Sequence, residues 1–153
     1  MQWVQSIKIS KDPVDAPWNA YYYKNALGEQ YQSLPLQSII LSTEKSPDRN
    51  SIAVSGIAYS GGSGNAIARV EVSTDNGKNW SNAKILTEEI KKDNSKGSFG
   101  WVRWKTNVGV SLNSNHVTDV CCKATDTEGK SQVEVSPKQR GYAYNGWSKV
   151  EVA

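Results

Sequence analysis

The residue with the longest chemical reach is Arg140, which stands directly before Gly141 in "KQRGYAYNGWSKVEVA" and is followed by Tyr142, Tyr144 and Trp147. A guanidinium is always charged and offers a planar fork of donors suited to oxyanions. The glycine beside it lets the backbone come close to a neighbouring surface. Arg140 is therefore either a charge at the mouth of a strand or a charge aimed at an anion belonging to something outside this chain. The other candidates are thinner. His116 in "NSNHVTD" and the nearby Asp119 have the types of a base and its orienter, but one histidine in a turn-rich stretch is poor material for a hydrolase, and it reads as an exposed loop residue. Glu88 and Glu89 read as solvated loop neighbours.

Cys121 and Cys122 are adjacent. In a strand, adjacent side chains point to opposite faces, so a disulfide between them would be strained, and two thiols are expected, one packed in the core and one near the surface. A single histidine and no Cys/His spacing leave no zinc-type site. The glycines of "YSGGSGNA" lack the lysine and the strand-loop-helix context of a phosphate cradle, so this is a loop needing backbone freedom before a strand. In "GWVRWK", Trp101 and Trp104 fall on opposite faces of a strand. At most one of them joins the core, and Arg103 shares the face of Trp101. Packing and cation contacts at an interface are favoured there over the stacking of a ligand.

The elements that position these residues have a period of two. In "IARVEVSTDNGKNW", Ala68, Val70 and Val72 alternate with Arg69, Glu71 and Ser73, and Asp75-Asn76-Gly77 marks a tight turn before Trp80. Alternation recurs in "QSIKIS" with Ile7 and Ile9, in "SIAVSGIAYS" with Ile52 and Val54, and in "VTDVCCKATDTEGK" with Val120, Cys122 and Ala124 before a Glu128-Gly129 turn. "WVRWKTNV", "SQVEVS" and "WSKVEV" are further strand-like pieces, whereas "ILTEEIKKDNSK" reads as a loop. Short strands, turn clusters and no full helical window predict an antiparallel sandwich. The stretch from about Pro13 to Pro35 lacks any period and reads as a long ordered arm whose aromatics, Tyr21, Tyr22 and Tyr23 among them, pack on something.

A chain of 153 residues supports one domain with a real core, and six Trp and seven Tyr supply large apolar surfaces despite a hydrophobic share of only 37%. The formal net charge is +3, with bases dispersed among acids, so nothing favours nucleic acid or membrane as a partner. No apolar run approaches the roughly 18 to 20 residues of a spanning helix. By composition alone the chain is a binding or assembly module.

Read together, "GIAYSGGSGNAIARVEVSTDNGKNWSNAKI", "LPLQSII", "VCCKATDTEGKSQ" and "QRGYAYNGWSKVEV" resemble the carboxy-terminal dimerisation domain of the sulfite oxidase family of molybdenum enzymes. The resemblance runs from Trp3 to Val152. It implies an all-β, immunoglobulin-like antiparallel sandwich over 1–153, with an N-terminal strand and arm over about 1–36 and the sandwich over about 37–153. It also implies a homodimer, and a separate preceding domain of the same polypeptide that holds the molybdenum cofactor. No cofactor is then expected in this chain, and neither Cys121 nor Cys122 is assigned to the metal.

The chain is accordingly expected to be a fragment, or a stand-alone copy of the assembly domain, not catalytic by itself. Arg140 matches the basic residue that, in sulfite-oxidising relatives, lies near the substrate pocket, so a sulfite or sulfate anion is the implied partner. Nitrate-reducing relatives tend to carry an apolar residue at that position. Trp101, Arg103, Trp104 and Tyr21 to Tyr23 are the expected contributors to a dimer or interdomain interface. A free-standing carbohydrate- or protein-binding module and the same domain of a nitrate reductase are the alternatives. Relatives are mitochondrial, peroxisomal or periplasmic, and the chain itself carries no visible address.

Overall fold

The computed structural model describes residues 4–12, 16–17, 24, 30–31, 33–48, 50–86, 100–110, 119–137 and 143–152. It divides into two compact units, Met1–Gln32 and Ser33–Ala153. In the first, Lys24 and Gln30 form an isolated antiparallel bridge. The strand expected around Ile7 and Ile9 is not formed. Alternation over so short a stretch gives a segment two faces but no partner backbone.

Among the described residues, the second unit holds eight strands: β1 (Gln37–Lys45), β2 (Ser51–Tyr59), β3 (Ile67–Ser73), β4 (Ser81–Asn82), β5 (Lys84–Leu86), β6 (Val102–Gly109), β7 (Val120–Asp126) and β8 (Ser148–Val150). They form two antiparallel four-stranded sheets, ordered β1-β2-β6-β5 and β4-β3-β7-β8. With the two-residue β4 left out and the other seven strands lettered in chain order, the first sheet is A-B-E-D and the second C-F-G, an order compatible with an immunoglobulin-like sandwich. The inner faces meet in one core. Ile40, Ile52, Val54, Ala58, Val102, Trp104 and Val108 come from the first sheet, and Val70, Val72, Val120, Cys122 and Ala124 from the second.

The period-two reading holds for β2, β6 and β7, and local chemistry explains where it fails. The register of β3 against β7 slips between Ile67 and Arg69. Such a bulge inserts a residue and turns the side chains before it over, so Ala68, expected inside, is exposed and Ile67 leans on the core instead. "SQVEVS" is not a strand. It makes isolated bridges at Ser131 and Val133, and leaves Val133 and Val135 exposed.

Both cysteines are fully buried, which corrects the expectation that one lies near the surface. The reason is that β7 is an interior strand of its sheet, so Cys121 is flanked on the outer face by its register partners Ser73 and Lys149. The two remain free thiols. Burial pushes the Cys122 thiol up to about 12 and raises that of Cys121 as well. The thiolate is the reactive form, so neither thiol should react with an aromatic disulfide reagent at neutral pH in the native chain, and both should react in denaturant. Rapid titration of a thiol in native buffer would contradict this packing.

Candidate functional site

Arg140, Tyr142, His116 and Tyr21 to Tyr23 lie outside the described residues, as do most of "ILTEEIKKDNSK" and the pair Glu88 and Glu89. The described residues do include both ends of the segment that carries Arg140. On the upstream side, Gln132 is buried and its amide works like a piece of strand. Its Oε1 accepts from the Ala124 backbone N–H at 3.0 Å, its own backbone N–H donates to the Ala124 carbonyl at 3.1 Å, and its Nε2 donates to the Gly146 carbonyl at 2.8 Å. One side chain therefore ties β7 to the stretch leading into β8.

Four residues further on, Ser136 Oγ donates to Asn145 Oδ1 at 3.1 Å and accepts from the Asn145 backbone N–H at 3.2 Å. This clamp draws together the two ends of the Arg140 segment. A Cβ added at Gly146 would lie 2.5 Å from the Tyr144 hydroxyl and 3.2 Å from the Ser136 nitrogen, so a side chain there would have to push the Tyr144 ring aside. The downstream end is fastened to the other sheet too: Gln37 Nε2 donates to the Tyr144 carbonyl at 2.8 Å, and the Ile40 N–H donates to Ser148 Oγ at 3.3 Å. Val133, Val135 and Tyr144 leave an exposed apolar rim beside the clamp, with Glu134 and Lys149 at 3.8 Å from each other.

Trp147 completes the anchor. Its backbone N–H donates to the Val133 carbonyl at 3.0 Å and its indole Nε1 to the Gln132 carbonyl at 3.3 Å. Its ring meets Trp80 edge to face with centroids 4.8 Å apart, and Lys123 Nζ sits 4.0 Å from the Trp80 centroid, a cation held over a ring face. The "STDNGKNW" turn places Trp80 there. Ser73 Oγ donates to Asp75 at 2.7 Å and accepts from the Gly77 N–H at 2.9 Å, while Asp75 accepts from the backbone and side-chain amide of Asn79. Those donors, the Asn79 N–H foremost, hold the Asp75 carboxyl down at about 2. Gly77 has φ of +81° and a Cβ there would lie 2.6 Å from the Trp147 ring. The Asp75-Asn76-Gly77 turn thus holds Trp147 in place through Trp80.

Replacing Gln132 by Ala leaves the Ala124 N–H and the Gly146 carbonyl unpaired, at a cost of about 1–3 kcal/mol for an unsatisfied buried group. Denaturant unfolding of the Q132A chain should therefore show a stability loss of about 2 kcal/mol. An unchanged midpoint would mean that water takes over both bonds.

The aromatic pair of β6 separates as its parity requires. Trp101 is 47% exposed and stacks on Tyr59 with ring centroids 5.2 Å apart, and Arg103 is exposed on the same face. Trp104 is 1% exposed. Its expected place among the surface aromatics is corrected: its even position points inward, where its ring fills the space over Gly56. Among the described residues, no three His, Cys, Asp or Glu side chains gather as metal ligands would, and no helix is long and apolar enough to cross a membrane.

Comparison with known proteins gives this arrangement its context. The Mo-co oxidoreductase dimerisation domain family is matched over residues 29–153. The chain belongs to that family. Mitochondrial sulfite oxidase of Rattus norvegicus is 26% identical over 99% of this chain and 30% of that protein. The Homo sapiens counterpart is 32% identical over 79% of this chain and 22% of that protein. The NADH nitrate reductase of Ulva prolifera is 41% identical over 52% of this chain and 9% of that protein. The dimerisation domain thus spans about a third or less of the length of these relatives. The sulfane dehydrogenase SoxCD of Paracoccus pantotrophus shares the fold, with a TM-score of 0.50, 23% identity, and coverage of 76% of this chain and 29% of that one.

Gln132, the Ser136–Asn145 clamp and Gln37 carry no local sequence pattern that marks them as functional. The signal for them is that Gln37, Gln132 and Asn145 each fall in one of the stretches that carry the family resemblance.

Proposed function

We propose that this dimerisation domain serves a sulfite-oxidising molybdenum enzyme, holding two subunits together and turning Arg140 towards the oxyanion pocket of a preceding cofactor domain in the same polypeptide. The observation that carries the reading is the fastening of both ends of the Arg140 segment, to each other by Ser136 with Asn145, to β1 by Gln37 and to β7 by Gln132. A segment tied at its base to both layers of a sandwich can present a charge to a neighbouring domain at a low entropic cost. When bound in its own domain, the molybdenum cofactor supplies the oxidation of sulfite to sulfate. The part of this chain is electrostatic. A guanidinium stabilises a bound oxyanion by charge and by paired N–H donors, and contributes more wherever negative charge grows in the transition state.

The nitrate reductase reading draws support from the Ulva prolifera relative. A basic residue at position 140, where nitrate-reducing relatives tend to be apolar, favours sulfite. The isolated chain is expected to show no sulfite-dependent electron transfer, and the intact polypeptide is expected to turn over sulfite in preference to nitrate. Turnover by the 153-residue chain alone would refute the assembly role, and preference for nitrate would reverse the substrate assignment.

A further inference from the structure

The outer face of the β1-β2-β6-β5 sheet carries an ordered pattern. In register across the four strands, Ile39, Ile57, Arg103 and Leu86 form one row, and Ser42, Ser55, Lys105 and Lys84 the next. Beyond the second row come Glu44, Ala53 and Asn107, and at the other end Trp101 stacks on Tyr59. Leu41 projects at the β1 irregularity and is 62% exposed, and Ile39 is 37% exposed. The apolar groups therefore lie at one end of the face. The charges divide by edge, with Glu44 on β1 and Lys84 on β5.

We infer that this face is the surface on which a second copy of the chain docks, sheet on sheet, about a two-fold axis parallel to the strands and between β2 and β6. The inference rests on the dimerisation role. The charge pattern chooses the axis. Rotation about it lays β1 over the partner's β5 and keeps each row over its own kind, so Ile39 meets the partner's Leu86 and Glu44 comes one row from the partner's Lys84. An in-plane axis at right angles to the strands would set Arg103 against the partner's Lys105 and Leu86 against the partner's Lys84. Like charges brought together in a desolvated interface are costly. Strands about 4.8 Å apart with about 3.3 Å of rise per residue give a projected face of roughly 450 Å². Side-chain relief adds to that figure, which is of the same order as the roughly 800 Å² per partner of a standard interface. A two-fold uses every contact twice, so each charge substitution counts twice per dimer.

Sedimentation equilibrium of the chain tests the proposal with Glu44→Lys, Lys84→Glu and the double variant. Each single change should raise the dimer dissociation constant at least about fivefold, and the double change should bring it back to within about twofold of the parent, because the pair is re-formed with its signs exchanged. Under oxidising conditions, a chain carrying both Ile39→Cys and Leu86→Cys should migrate as a covalent dimer, which the buried Cys121 and Cys122 cannot form. A dimer that persists unchanged through all three charge variants and does not cross-link overturns this face and leaves the dimerisation role standing. A parent chain that stays monomeric at high micromolar concentration overturns both.

Discussion

Replacing Arg140 by Met in the intact enzyme is expected to raise KM for sulfite by about ten- to a hundredfold, since hydrogen bonds to a charged group contribute about 1.5–3 kcal/mol and each 1.4 kcal/mol is a factor of ten. Met keeps the length and apolar stem of the side chain and removes the charge and the donor fork. Arg140→Lys separates the two contributions. A point charge without the planar fork should recover part of the lost affinity and leave a deficit. If kcat falls along with the rise in KM, the guanidinium is also acting on charge that develops in the transition state. Steady-state kinetics on the folded full-length protein decide the matter, and an unchanged KM removes Arg140 from the pocket. Because the segment is tied at Ser136 and Asn145, the substitution should leave the thermal stability of the sandwich as it was.

Trp104→Ala is expected to cost about 3–5 kcal/mol, the range for deleting a large buried aromatic. For a unit of this size that corresponds to a fall in Tm of roughly 10–20 °C. The ring lies in the centre of the core, and the neighbouring strand position is Gly56, where any Cβ would run into the Trp104 ring and the Ile39 carbonyl. Gly56 leaves the space, Trp104 fills it, and no other described side chain is placed to take over. Trp104→Phe should cost far less. The indole Nε1 has no hydrogen-bond partner among the described residues, so Phe loses some packing but also relieves the penalty of a buried, unsatisfied donor. Calorimetry on both variants tests the account. A Phe variant as unstable as the Ala variant would mean that the indole nitrogen is satisfied after all, by water.

Much of the layout was legible because it is local. The alternation in "SIAVSGIAYS" and "WVRWKTNV" became β2 and β6, and Asp75-Asn76-Gly77 became a tight turn with Asn76 and Gly77 at positive φ. The same local logic misjudged "QSIKIS" and "SQVEVS": the described residues of the first form no strand, and the second makes isolated bridges to Thr125 and Gly146 without extending them into a ladder. Ala68 failed for another reason: it is the unpaired residue of a bulge, and a bulge is a property of the pairing rather than of the strand's own residues.

The site divides along the same line. Arg140 was readable from its type, from the glycine beside it and from a long ordered resemblance. The fastening of the residues on either side of its segment was not, because Gln37 lies 107 positions from Tyr144 and Gln132 reaches Gly146 across 14. No local period encodes such pairs, and a glutamine on its own reads only as a polar residue. Parity established that Trp101 and Trp104 look in opposite directions, and that Cys121 and Cys122 do too. Parity alone does not say which direction is inside, or whether the other side is also covered. The sequence by itself determined the alternation, the turns, the family and the charge at Arg140, all carried by residue types at short range. Only the tertiary structure decided that Trp104 fills the core, that an interior strand buries both thiols and that the residues flanking the Arg140 segment, Ser136 with Asn145 and Tyr144 with Gln37, are hydrogen-bonded together. Burial and long-range hydrogen bonds exist only once the layers have met.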